Sequence, residues 1–75
     1  RSRLLMLQAR RSALPAILEH LDDSDDPTIT PIEGRDDDVA LQALCRTALT
    51  WQRLEAMQRA GAYGLMVLPV EQMLR

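Results

Sequence analysis

Phenylalanine and lysine are absent from this sequence of 75 residues, and tryptophan, tyrosine, cysteine and histidine occur once each. A core here has to be built from aliphatic side chains, and the interleaved aromatics on which many nucleic-acid readers stack bases are missing. One cysteine, Cys45, can form neither an internal disulfide nor a Cys/His zinc box, so a reducing cytoplasm is the expected compartment. No apolar run approaches the roughly 18 to 20 residues of a membrane helix; the longest, Leu65 to Val70, is interrupted by Pro69. The chain starts at Arg1 with no apolar stretch and cleavage site behind it, as expected of a piece of a longer protein and not of a targeted precursor.

What is present fits one small domain, residues 1–75, with 47% hydrophobic and 27% charged side chains. A chain of this size buries only roughly 60% of the surface its unfolded form exposes, so it is expected to lean on a partner or a parent chain. Nine Arg stand against eleven Asp and Glu, for a net charge of −2. Four of the Arg lie in the first eleven residues and seven Asp fall between Asp22 and Asp38. This balance argues against general nucleic-acid affinity.

Arg3 to Gln8 is an apolar run of strand length. Ser12 is placed to cap a helix in which Leu14, Ile17, Leu18 and Leu21 recur at helical spacing, with Pro15 harmless in the first turn. Asp22 to Pro27 is an acidic loop. Thr28-Ile29-Thr30 with Ile32 reads as a strand, held to a sheet edge by Pro27 and Pro31. A polar turn over Glu33 to Asp38 then leads to the alternating strand Val39 to Leu44, completing a hairpin. Thr47 is expected to cap a second helix with Leu49, Trp51, Leu54 and Met57 on its apolar face, and Gly61 sits where a left-handed C-terminal cap belongs. Trp51 is expected to pack on the sheet or a neighbouring subunit. Tyr63 to Leu68 is the last strand.

The order strand, helix, strand, strand, helix, strand predicts an α+β, ferredoxin-like βαββαβ fold, a four-stranded antiparallel sheet with two helices on one face. One sheet face is then free for a partner.

Catalytic signatures are missing. The Asp22 to Glu33 stretch is spaced superficially like a calcium loop, but Pro27 holds the position that needs Gly and no helix follows, so no metal site is expected. Asp36-Asp37-Asp38 reads as a charged hairpin tip. His20 has no Ser or Cys nucleophile at a recognisable spacing, and Cys45 follows an apolar strand as a small buried hydrophobe would. Met6, Met57, Met66 and Met73 are scattered fillers of core or interface. In Gly61-Ala62-Tyr63-Gly64, two glycines bring bare backbone close to the sheet, which reads either as a plain tight turn or as peptide groups at Gly64 open to a small ligand or an adjacent subunit.

The segment Gln58 to Met73, with Gly61-Ala62, an apolar strand and Leu68-Pro69-Val70-Glu71-Gln72-Met73, resembles the closing signature of the long-form ATP phosphoribosyltransferases. Pro27-Thr28-Ile29-Thr30-Pro31-Ile32 is similar to a second motif of that family, and the spacing of Val39-Ala40-Leu41 and Trp51 fits it too. The resemblance covers essentially the whole sequence. It implies the C-terminal regulatory domain of a cytoplasmic glycosyltransferase that condenses ATP with phosphoribosyl pyrophosphate at the first step of histidine biosynthesis. Such a domain is itself non-catalytic, attached to upstream catalytic domains, and carries no cofactor of its own; magnesium is expected for the parent enzyme.

The resemblance further implies allosteric feedback inhibition by L-histidine and assembly of dimers into a hexamer. Carried over residue by residue, the effector site falls on Thr28, whose hydroxyl and backbone would hold polar groups of the ligand, on Leu44 and Gly64, and on Ser24 and Asp26 of the approaching loop. Gln8 stands where some relatives have an acidic residue, and a neutral amide forgoes that charge-assisted bond. Asp22-Asp23 replaces a Pro-Gly favoured in the family, and Arg10 replaces a Pro. These departures define the alternative, a purely structural oligomerisation domain that has lost effector binding.

Overall fold

The computed structural model describes residues 2–22, 25–71 and 74. The chain runs as β1 (Arg3–Arg10), a 3-10 turn (Arg11–Ala13), α1 (Leu14–Leu18), β2 (Thr28–Ile32), β3 (Arg35–Cys45), α2 (Trp51–Arg59) and β4 (Tyr63–Pro69). The four strands form one antiparallel sheet in the order β2-β3-β1-β4. This is the expected α+β ferredoxin-like arrangement, with two helices against one face.

Strand alternation decides which face is buried. Leu5, Leu7 and Ala9 of β1 and Val39, Leu41, Ala43 and Cys45 of β3 all point to the helix side and are buried. Ile17 of α1 and Met57 of α2, both 0% exposed, close the core over them. Leu65 and Val67 of β4 and Leu54 of α2 pack around its rim.

Several boundaries differ from the sequence expectation. Ser12 does not cap α1: it lies inside the 3-10 turn that follows β1 directly, and Ala13, with helical dihedrals and no side-chain bond, occupies the cap. The α-helix ends at Leu18 rather than near Leu21, and two turn bonds, His20 N–H to Ile17 O and Leu21 N–H to Leu18 O, carry the chain onward. β3 starts at Arg35, four residues before Val39, because Gly34 at φ +80° closes the hairpin in the two residues Glu33–Gly34. The register then jumps between Pro31 and Ile32, where Pro31 has no N–H to donate, and Asp36 to Asp38 have no pairing partner on β2.

Thr50, not Thr47, caps α2, its Oγ1 accepting the Arg53 N–H at 3.2 Å. Trp51 is 71% exposed and does not pack on the sheet, because the buried face of α2 runs through Leu54 and Met57 while Trp51 opens its first turn. The other end of α2 is a full Schellman motif. Gly61 N–H bonds to Gln58 O at 3.0 Å and Ala62 N–H to Met57 O at 2.9 Å, with Gly61 at φ +122° and both Met57 and Ala62 buried.

Candidate functional site

The face of the sheet opposite the helices carries the other half of each alternation. Cross-strand pairing lays Leu68, Leu4 and Leu44 in one row, Met66, Met6, Gln42 and Thr28 in the next, and Gln8, Ala40 and Thr30 in a third. The surface is apolar at the Leu4 end and polar where β2 approaches.

Two hollows open on this face and Thr28 borders both. The first, about 100 Å³, lies over the middle of the sheet between Gln8, Met6, Thr28, Thr30, Gln42 and Gly64. The second, about 290 Å³, lies between Leu4, Leu44, Gln42, Thr28, Arg46 and the loop residues Asp25 and Asp26. Each is below the roughly 300 to 1,000 Å³ of sites that enclose a drug-sized ligand.

Gly64 lines the first hollow. Its φ of +60° forms a β-bulge opposite Leu7, where the pairing shifts from Met6–Met66 to Gln8–Tyr63. A Cβ built there would come no closer than 4.0 Å to Gln8 Oε1, so the backbone angle rather than space selects glycine. Beyond Gln8 the face is fenced by three side chains. Tyr63 donates its hydroxyl hydrogen to Asp38, and Arg35 Nη1 donates to the same hydroxyl oxygen at 2.8 Å. The bond to the Asp38 carboxylate, with some burial, pushes the Tyr63 phenol above its usual value.

The second hollow is the charged one. Asp25, whose side chain is 0% exposed, accepts the Asp22 N–H on Oδ2 at 2.9 Å, and its Oδ1 has no hydrogen-bond partner among the described residues. Asp26 beside it holds φ +44°, a left-handed conformation that Asp tolerates better than most residues. Burial, with the Asp25 carboxylate next, raises the Cys45 thiol to about 11.

Of the residues singled out by sequence, Gln8, Thr28 and Gly64 meet at the first hollow, and Thr28, Leu44 and Asp26 at the second. Ser24 lies outside the described residues. Gln42, Thr30, Asp25 and Arg46 escaped sequence reasoning. Alternation along β3 places Gln42 on the face of Leu44, and the register Thr28–Gln42 brings it to the site; Asp25 and Arg46 had no periodic signal.

Among the described residues no three His, Cys, Asp or Glu side chains converge as metal ligands. No helix among them is long and apolar enough to cross a membrane. Neither hollow is lined by a histidine or cysteine.

Sheet, helices and hollows together define a ferredoxin-like domain whose candidate site is a binding surface. The chain belongs to the family described as HisG, C-terminal domain, which it matches over residues 1–72. It is 42% identical over 73 residues to the ATP phosphoribosyltransferase of Maricaulis maris (strain MCS10), covering 97% of this chain and 25% of that protein. It is 44% identical over 73 residues to the enzyme of the same name from Xylella fastidiosa (strain M12), covering 97% and 24%. A further relative of that name, from Stenotrophomonas maltophilia (strain R551-3), is 40% identical over 72 residues, covering 96% and 23%. The chain thus spans about a quarter of the length of these relatives.

Proposed function

We propose that this chain is the effector-binding regulatory domain of an ATP phosphoribosyltransferase, taking L-histidine on the open sheet face around Thr28. The reading rests on one observation above others: the cross-strand pair Thr28 and Gln42 borders two adjoining hollows whose other walls include Gln8, Gly64, Leu44 and Asp26. The relatives named above carry the parent activity, and the catalytic steps and their magnesium belong to the other three quarters of such a protein. In this reading Thr28 and Gln42 supply hydrogen bonds to the zwitterion, and Asp26 and Arg46 offer a carboxylate and a guanidinium to its ammonium and carboxylate. Gln8 faces the imidazole side as a neutral partner. The enzyme acts in the cytoplasm, where Cys45 stays reduced.

Feedback inhibition requires the effector to bind one global state of the oligomer more tightly than another, by a coupling of roughly 1 to 3 kcal/mol. Dimers assembling into a hexamer supply those states.

Calorimetric titration of the full chain with L-histidine tests the reading, with adenosine monophosphate and a second amino acid as controls. Saturable binding selective for histidine is expected, weakened about three- to ten-fold by Thr28→Ala, the scale of one neutral hydrogen bond. The second reading, a purely structural domain, is favoured by the apolar row Leu68, Leu4 and Leu44 on the same face. An assembled oligomer that takes up no histidine would establish it.

A further inference from the structure

Arg53 lies in the first turns of α2, on the helix side of the sheet, and borders neither hollow. Its guanidinium nevertheless ties together three stretches of chain. Nη1 donates to Ala48 O at 2.6 Å and to Thr47 Oγ1 at 3.3 Å, and Nη2 donates to His20 O at 2.9 Å. Nη2 also stands 4.0 Å from Oδ2 of the buried Asp25. The ring is closed from the other side. Asp25 Oδ2 accepts the Asp22 N–H at 2.9 Å, Asp25 N–H bonds to Asp22 O at 3.1 Å, and Thr47 donates its hydroxyl to Asp22 Oδ2 at 2.6 Å. Among the described residues Asp25 is the buried charged one, and Arg53 is the cation that stands 4.0 Å from it. A buried carboxylate left without its cation would be strongly unfavourable, so the two positions are linked.

The consequence reaches the pocket, because Asp25 is followed by Asp26 in its left-handed conformation and then, past Pro27, by Thr28 at the start of β2. We propose that Arg53 is a positioning residue of the effector pocket. It fixes His20, Asp22 and Asp25 against the start of α2, and through Asp25 it places Asp26 and Thr28. Resting on the histidine reading above, the inference adds a route by which the site is felt elsewhere. Occupancy of the hollow is transmitted through Asp25 to Arg53, and so to the first turn of α2, where Trp51 is exposed.

The test compares the full chain with Arg53→Met and Arg53→Lys, by amide hydrogen exchange and by histidine titration at a temperature where all three are folded. Arg53→Met should speed exchange at the Asp22 and Asp25 amides, leave the β1–β3 amides protected, and weaken histidine at least about ten-fold, the scale of one hydrogen bond to a charged group. Lysine keeps the charge but cannot reach the His20 and Ala48 carbonyls together, so it should restore part of both readouts. A domain merely destabilised by the change would bind histidine as before once folded. Unchanged exchange at Asp22 and Asp25, or loosened exchange with unchanged histidine affinity, would overturn the proposal. If the unmodified chain takes no histidine, the functional reading fails, and loop exchange alone then decides whether Arg53 holds the pocket residues.

Discussion

At the scale of single residues, the chemistry is set by what each polar group has for a neighbour. Cys45 shows the effect on a titrating group. Burial and the Asp25 carboxylate raise its thiol from an ordinary 9.0 to about 11. The folded chain therefore holds this proton more tightly than the unfolded one. Its contribution to stability is complete below pH 9 and is lost as pH rises from 9 through 11. Tyr63, also raised, adds a loss of the same sign in that alkaline range. Denaturant midpoints measured at pH 8 and 11 should thus fall more for the native chain than for Cys45→Ala. Equal falls would show that the thiol is not held in this way. Below pH 8 the same thiol should resist alkylation until the chain unfolds, being buried and protonated.

At the scale of elements, the glycines separate by what surrounds them. Gly61 holds φ +122° and a Cβ there would meet Ala13 Cβ at 3.0 Å, whereas Gly64 at φ +60° has nothing nearer than 4.0 Å. Left-handed backbone alone costs an L-residue roughly 1 to 2 kcal/mol. Gly61→Ala adds a clash between the end of α2 and the turn before α1, so it should destabilise by about 2 to 4 kcal/mol. Gly64→Ala should cost about half as much in thermal unfolding while altering the pocket wall; a Gly61→Ala loss no larger than that of Gly64→Ala would contradict this packing. The sequence made some elements legible and hid others. The apolar run Arg3 to Gln8 announces β1, the alternation of Val39, Leu41 and Ala43 announces β3, and Gly61 announces the end of α2. The first residues of β3 are charged, so they carry no alternation and read as a turn. Thr47 and Thr50 lie three apart and are equally good caps by type. The choice between them was made by the bond from Thr47 to Asp22, twenty-five positions away, which no local pattern contains.

At the scale of the whole molecule, placing both helices on one sheet face is what creates a site on the other. Thr28, which borders both hollows, could be singled out in the sequence through its motif. Gln42 and Asp25 were not, because they join it only through sheet pairing and loop closure. The apolar row from Leu68 to Leu44 continues the same face beyond the hollows, so a ligand and a neighbouring subunit would share one surface. A shared surface is a physical basis for coupling effector binding to oligomer state, since whatever fills the hollows alters the contact beside them. The most direct test is a backbone amide NMR titration of the full chain with L-histidine. The account predicts saturable shifts centred on Gln8, Thr28, Gln42, Leu44 and Gly64, with a weaker response at Arg53. Saturable shifts confined to the helix-covered side, or none at millimolar histidine, would contradict it.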